Sequence, residues 1–190
     1  MIHDCLCKGP GYVCTRRCPT VSKTVKPTIY LDLDGVLADF DAGAGNILGT
    51  DNIYKWEFVH GPKAFWDKLN VYPNFFGGLP LKDDAMVLWN AVRALDPVVL
   101  TALPKKDATD VDTQKRTWVK RHLRHPFGSG MTTRVITCET KDKPNFCEPG
   151  DVLVDDRAVN REAWEAAGGI YVLHTSAAST VLYLKALGII

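Results

Sequence analysis

Five polar side chains in this chain of 190 residues stand where short apolar runs stop: Asp32 and Asp34 after TIYL, Thr101 after VVL, and Asp155 with Asp156 after DVLV. If those runs are neighbouring strands of a parallel sheet, the five converge on one rim. Carboxylates gathered this way raise one another's pKa, and the cluster is costly without a cation. Oxygen-only ligands with several acidic groups suit Mg²⁺, which takes a few carboxylates, keeps some waters and accepts phosphate oxygens. The chemistry expected of such a rim is phosphoryl chemistry.

The flanking sequence supplies the elements that would position them. Residues 28–33 follow Pro27, are rich in apolar and β-forming residues, and run into acidic residues and Gly35, which predicts a buried strand entering a loop. Residues 82–96 carry Ala85, Leu88, Trp89, Val92 and Leu95 at helical spacing, and Pro97 ends that helix. Further strands are predicted over 98–100, 134–138, 151–154 and 170–173. Helices are predicted over 112–124 and 160–167, the latter closed by Gly168-Gly169. A βαβαβ order with near-continuously apolar strands implies an α/β fold, a Rossmann-like three-layer parallel sheet with helices on both faces. Ligands bind such sheets beyond the carboxyl ends of the strands. Asp151 falls at the opposite end of its strand from Asp155 and is expected to be structural.

Between the first strand and the helix at 82–96 lie about forty residues rich in aromatics and punctuated by Gly and Pro. A structureless loop of that length is improbable, so a small helical insertion of about 41–80 is expected over the strand ends, where it would cover a pocket.

Composition limits the alternatives. Hydrophobic content of 46% with 24% charged residues is that of a globular domain, and a net charge of +1 argues against bulk electrostatic coating of nucleic acid. No apolar run reaches the length of a membrane span, and the N-terminus lacks the uninterrupted apolar stretch of a secretory signal. A soluble, cytoplasmic protein is expected. Residues 1–27 differ from the rest: five basic residues stand against one acidic, and Cys5, Cys7, Cys14 and Cys18 fall within them. Four thiolates could hold Zn²⁺ and fold a segment that has no core of its own, and free thiols on a flexible arm are the alternative.

The string DLDGVLADF (Asp32 to Phe40) contains DxDG[VT] as Asp32-Leu33-Asp34-Gly35-Val36. In order after it come PNFFGGLPL, LTALPK, QKRTWV and DVLVDDR. The set resembles the haloacid dehalogenase superfamily of phosphatases, in its 5′(3′)-deoxyribonucleotidase branch, from residue 28 to about 173. The resemblance implies a phosphatase domain over 28–190, with the insertion as its cap. It implies Asp32 as the nucleophile that forms an aspartyl-phosphate, and Asp34 as the acid that protonates the leaving oxygen and then deprotonates water. Mg²⁺ would be held by Asp32, Asp34 (through its backbone carbonyl) and Asp155, with Asp156 a ligand through water or an orienting group. Thr101 would bind a phosphate oxygen. The positive charge on the phosphoryl group is expected from Lys115, with Lys143 the competing candidate. Where the branch usually has serine after the threonine this chain has Ala102, whose backbone N–H could still serve. Phe40 matches a position lining the nucleoside pocket; Trp56, Phe65, Trp66 and Phe75 are further candidates, or form the cap's own core.

The function expected is hydrolysis of nucleoside monophosphates, deoxyribonucleotides foremost. Alternatives keep the chemistry on another small phosphoester or a nucleic-acid 3′-phosphate end, or make the protein a binding module that uses the basic cysteine arm to hold nucleic acid or a partner. Asp156 could instead cap the following helix or pair with Arg157. Oligomeric state is left open, a homodimer among the options.

Overall fold

The computed structural model describes residues 26–104, 108–125 and 132–190; Cys5, Cys7, Cys14 and Cys18 lie outside them. Five strands, β1 (Ile29–Leu31), β2 (Val98–Ala102), β3 (Arg134–Cys138), β4 (Val152–Asp155) and β5 (Ile170–Leu173), form one sheet in the order β3-β2-β1-β4-β5. Every pairing is parallel. The chain builds outward from β1 to β3, then returns to place β4 on the other side of β1, so the strand order reverses between β1 and β4. Such a reversal opens a crevice at the carboxyl ends of the two strands.

The strands read as continuous apolar runs because both faces of the sheet are covered. Their side chains alternate between two cores. Ile29, Leu31, Val99, Val152, Val154 and Val172 face one; Tyr30, Val98, Leu100, Leu153 and Tyr171 face the other. Against the first pack α4 (Ala85–Val92), α5 (Ala108–His122) and α7 (Ala177–Ala186), through Leu88, Trp89, Trp118 and Leu184 among others. The second is thinner. It is closed by Trp164 of α6 (Arg161–Ala166) and by Phe146 from a 3₁₀ segment, Thr140–Phe146.

The element boundaries shift from the expected ones for local reasons. β1 pairs only to Leu31, because the chain then folds back on itself: the N–H groups of Leu37 and Ala38 both donate to the Leu33 carbonyl. The helix predicted over 82–96 is α4 followed by a 3₁₀ turn, Arg93–Leu95, and Asp96 takes φ +53° ahead of Pro97. α5 begins before residue 112 and ends at His122, and the helix predicted over 160–167 is a 3₁₀ turn, Ala158–Asn160, leading into α6.

Between β1 and α4 the chain forms α1 (Phe40–Leu48), α2 (Ile53–His60) and α3 (Pro62–Leu69). Side chains cap the first two, with Asp39 accepting from Ala42 N and Asn52 from Lys55 N, while Pro62 opens the third. Leu48, Ile53, Phe65 and Leu69 join the same apolar cluster as the first face of the sheet. The insertion therefore shares a core with the sheet instead of forming a separate one.

Asp151, at the amino end of β4, is buried and accepts from Thr28 N (2.7 Å) and Glu148 N (3.0 Å). Asp151→Ala should strand both donors and lower stability by about 2–4 kcal/mol. A urea midpoint unchanged from wild type would contradict this.

Candidate active site

The site sits at the crevice between β1 and β4. Asp32 follows β1 directly, and its backbone N–H still donates to the Val154 carbonyl, which ties the residue to the end of β4. Its Oδ1 accepts from Leu33 N (2.7 Å) and its Oδ2 from Lys143 Nζ (2.8 Å). Asp155, the last residue of β4, offers Oδ2 to the same ammonium at 2.7 Å and Oδ1 to Arg157 N at 2.9 Å. Lys143 is fully buried between the two carboxylates. Burial pushes its pKa down, but Asp32 and Asp155 outweigh that and hold it above the ordinary lysine value. Burial likewise opposes ionisation of Asp32, and Lys143 with Lys115 reverses the effect, so Asp32 stays ionised.

A second lysine serves a second aspartate. Lys115, in the middle of α5, sends a buried ammonium to Asp34 Oδ2 (2.6 Å), Thr101 Oγ1 (2.9 Å) and the Ala102 carbonyl (2.8 Å). The three acceptors match its three N–H bonds. The sequence offers Lys115 and Lys143 as competing candidates for a single role. Both are in the site, each on a different aspartate.

Asp32, Asp155 and Asp156 have carboxylate oxygens within 4.8 Å of one another. Asp156 Oδ1 is buried without a partner. Burial, followed by the charges of Asp32 and Asp155, pushes the Asp156 carboxyl up to about 7. An oxygen-only set with a stranded oxygen and a carboxyl destabilised as an anion fits a hard divalent cation. The side chain of Asp34 is not in that group, being drawn to Lys115 instead; its Oδ1 also lacks a partner.

Gly35 lets Asp156 come this close. The turn requires φ +79° there, and a Cβ at this position would lie 2.2 Å from Asp156 Oδ2.

Of the aromatic candidates, Phe40 is central. Its ring lies 6.4 Å from Phe65, 6.1 Å from Trp66 and 5.5 Å from Phe75, centroid to centroid. Trp56 reaches the group only through Phe65 and stacks on His60 at 4.0 Å. Phe65 and Phe75 are buried, whereas Trp66 is 38% exposed.

Three further residues lie at the site without being marked as site residues by the sequence. Phe76 lies 6.3 Å from Phe40 and has the Lys115 ammonium 4.9 Å from its ring centre. Its signal was adjacency to Phe75. Arg157 feels the charges of Asp32, Asp155, Asp156 and Asp34, which together outweigh its burial and favour its charged form; it was visible as the last letter of DVLVDDR. Tyr54 of α2 donates to Asp41 (3.3 Å) and lies within the field of Asp156 and Arg157. Nothing in its local sequence distinguished it. Of the described histidines, His174 is buried, with its Nδ1 paired to Thr180 Oγ1 at 2.8 Å, and His125 Nε2 meets Asp96 Oδ1 at 3.1 Å.

No family model matches the chain. A protein of Vibrio phage KVP40 (isolate Vibrio parahaemolyticus/Japan/Matsuzaki/1991), described as "Putative 5'(3')-deoxyribonucleotidase", is 30% identical over 139 residues, covering 73% of this chain and 71% of its own. With the ordered motifs and the site they build, that likeness defines a hydrolase of the haloacid dehalogenase superfamily. The chain belongs to its 5′(3′)-deoxyribonucleotidase-like branch. Solved structures align at lower identity. A hydrolase from Streptococcus pneumoniae TIGR4 aligns at 16% identity and TM-score 0.48, over 85% of this chain and 100% of its own. A HAD-superfamily hydrolase from Ehrlichia chaffeensis aligns at 13% and 0.48, over 85% and 98%.

Two predictions follow from Asp156. Its folded pKa of about 7 exceeds the ordinary 3.8, so the folded metal-free protein binds more protons than the unfolded chain between those values. The group's contribution to stability is present below 3.8 and lost as pH rises through about 7. Urea midpoints of wild type and Asp156→Asn should therefore diverge between about pH 4 and about pH 7 and run parallel above it; a constant difference across that window would refute the assignment. Gly35→Ala should push Asp156 aside and weaken Mg²⁺ binding by about 10–100-fold in titration calorimetry. Wild-type affinity in that variant would mean that Asp156 does not need its present place.

Proposed function

We propose that the protein is a Mg²⁺-dependent phosphomonoesterase that hydrolyses nucleoside monophosphates, deoxyribonucleotides foremost, through an aspartyl-phosphate. The observation that carries this reading is the division of labour between the two lysine–aspartate pairs. Lys143 keeps Asp32 ionised, and Asp32 retains lone pairs for attack on phosphorus. Lys115 occupies Asp34 Oδ2 and leaves Oδ1 unpartnered, so one oxygen is open to exchange a proton with the leaving oxygen and with water.

In the first step an Asp32 oxygen bonds to phosphorus as the ester P–O bond breaks, and the leaving oxygen takes the proton held by Asp34. In the second, Asp34 removes a proton from water, the water oxygen bonds to phosphorus and the Asp32–phosphorus bond breaks. Thr101 and Lys115 lie together: the Thr101 hydroxyl accepts from Lys115 and keeps its own proton to donate to a phosphate oxygen, whereas Lys115, with all three N–H bonds engaged, would exchange one of its present acceptors for another. A bound Mg²⁺, held by Asp32, Asp155 and Asp156 with the Asp34 carbonyl, would neutralise charge on the phosphoryl oxygens and the nucleophile. Phe40 and Trp66, partly exposed beside the buried Phe65 and Phe75, support a nucleobase as the leaving group's recognised part; base stacking contributes about 1–3 kcal/mol.

Asp32→Asn should lower phosphate release from a panel of nucleoside 5′- and 3′-monophosphates about a thousandfold or more, and chelating Mg²⁺ should do the same to wild type. Full activity of Asp32→Asn would eliminate the mechanism. Preference for a 3′-phosphorylated oligonucleotide over mononucleotides would eliminate the substrate class.

A further inference from the structure

The residues between α3 and α4 include a strap, 73–79, that carries Phe75 and Phe76 and is tied down by one helix. From α5, Trp118 Nε1 donates to the Leu79 carbonyl (2.8 Å) and an Arg121 guanidinium N–H to the Gly77 carbonyl (3.2 Å). Gln114 stands one turn before Trp118 on the same face. Its Nε2 donates to the Pro73 carbonyl (3.0 Å) and to Asp110 Oδ2 (2.5 Å), and its Oε1 accepts from Gly77 N (3.2 Å).

The network assigns the amide orientation, since Pro73 O and Asp110 can only accept and Gly77 N can only donate. Gln114 thus grips the strap on both sides of Phe75 and Phe76, whereas Trp118 and Arg121 hold only its far end. Its chain neighbour is Lys115, whose ammonium faces Asp34, Thr101 and the Phe76 ring. One turn of helix therefore fixes both the phosphate end of the site and two rings of its aromatic end.

We infer that Gln114 is a positioning residue for substrate selection: it holds Phe75 and Phe76 in register with Lys115, so that a nucleoside monophosphate meets its base platform and its phosphate site at one spacing. This rests on the nucleotidase reading. A phosphoester too small to reach the aromatic rings would not use that spacing.

Gln114→Met keeps the length of the side chain and removes its three hydrogen bonds. It should raise KM for the preferred nucleoside monophosphate about tenfold, a 1.4 kcal/mol effect, with kcat nearly unchanged and with kcat/KM for phenyl phosphate unchanged. A parallel loss on both substrates would overturn the inference, because Gln114 would then act on Lys115 or on folding alone, and so would unchanged KM on both. Gln114→Glu, which keeps the acceptor for Gly77 N but sets a carboxylate against Asp110 and the Pro73 carbonyl, repeats the test if the methionine variant does not fold. Wild type that favours nucleotides no more than phenyl phosphate would remove the nucleotidase reading and this inference with it. Wild type that favours them, beside a Gln114→Met that keeps the preference, would remove this inference only.

Discussion

A buried ammonium between two carboxylates at the mouth of the β1/β4 crevice sets the terms for the rest of the structure. Parallel strands that end side by side bring Asp32 and Asp155 together whether or not their charges are compatible. Lys143 makes them compatible, at 2.8 and 2.7 Å. Leaving any of these charges alone in the interior would cost several kcal/mol. The lysine must therefore arrive from an element that packs on the sheet near these strand ends, and the 3₁₀ segment Thr140–Phe146, which leads from β3 to β4, delivers it. Asp34 imposes a similar demand on the other side of β1. There α5 supplies Lys115, which also satisfies Thr101 and the Ala102 carbonyl at the end of β2. Two crossovers are thus constrained by charge as much as by apolar packing.

Much of this was readable beforehand because it is local. A short run of β-branched and apolar residues is recognisable without its partner, so β3 and β5 fall where the sequence put them, although both are edge strands and only partly buried. Asp32 and Asp34 announce themselves by a spacing of two, and the motifs that follow keep their order. Where sequence reasoning fell short, the information was not local. Whether Lys115 or Lys143 served the nucleophile could not be read from position, since each is a single cation in a segment of ordinary composition. The answer depends on which strand end each segment crosses. Gln114 was equally silent: it sits in a polar helix, and only the packing of α5 on the strap shows that its amide is buried and fully used.

The insertion was legible as helical but not in its relation to the sheet. Its aromatics could have made a separate core or a pocket lining. The structure combines the two, since Phe65, Phe75 and Phe76 belong to the apolar cluster that covers the sheet while also touching Phe40. A ring in such a place cannot turn freely toward a ligand, because its other contacts would be lost. Stacking surface is left to the half-buried Phe40 and Trp66, backed by the buried rings. The same continuity makes α5 important to the pocket, because it packs on the sheet and grips the strap at once.

Charge balance then connects the site to its substrate. Asp32, Asp34, Asp155 and Asp156 face Lys115, Lys143 and the nearby Arg157, which leaves the ionised set one negative charge in excess. Without a cation that excess weighs on Asp155 and Asp156, whose carboxyls burial and the neighbouring aspartate charges both hold above the ordinary range, Asp156 at about 7. A divalent cation converts the excess from one negative charge to one positive. The phosphate monoester dianion of the proposed reaction would be attracted by that field, whereas the metal-free site would repel it. In the proposed reaction electrostatics would set the order of events: the cation would precede the phosphate, and the proton on Asp156 would leave before the cation is held. A neutral or singly charged ester gains less from the same field, which favours monoesters over diesters before any ring of the pocket makes contact.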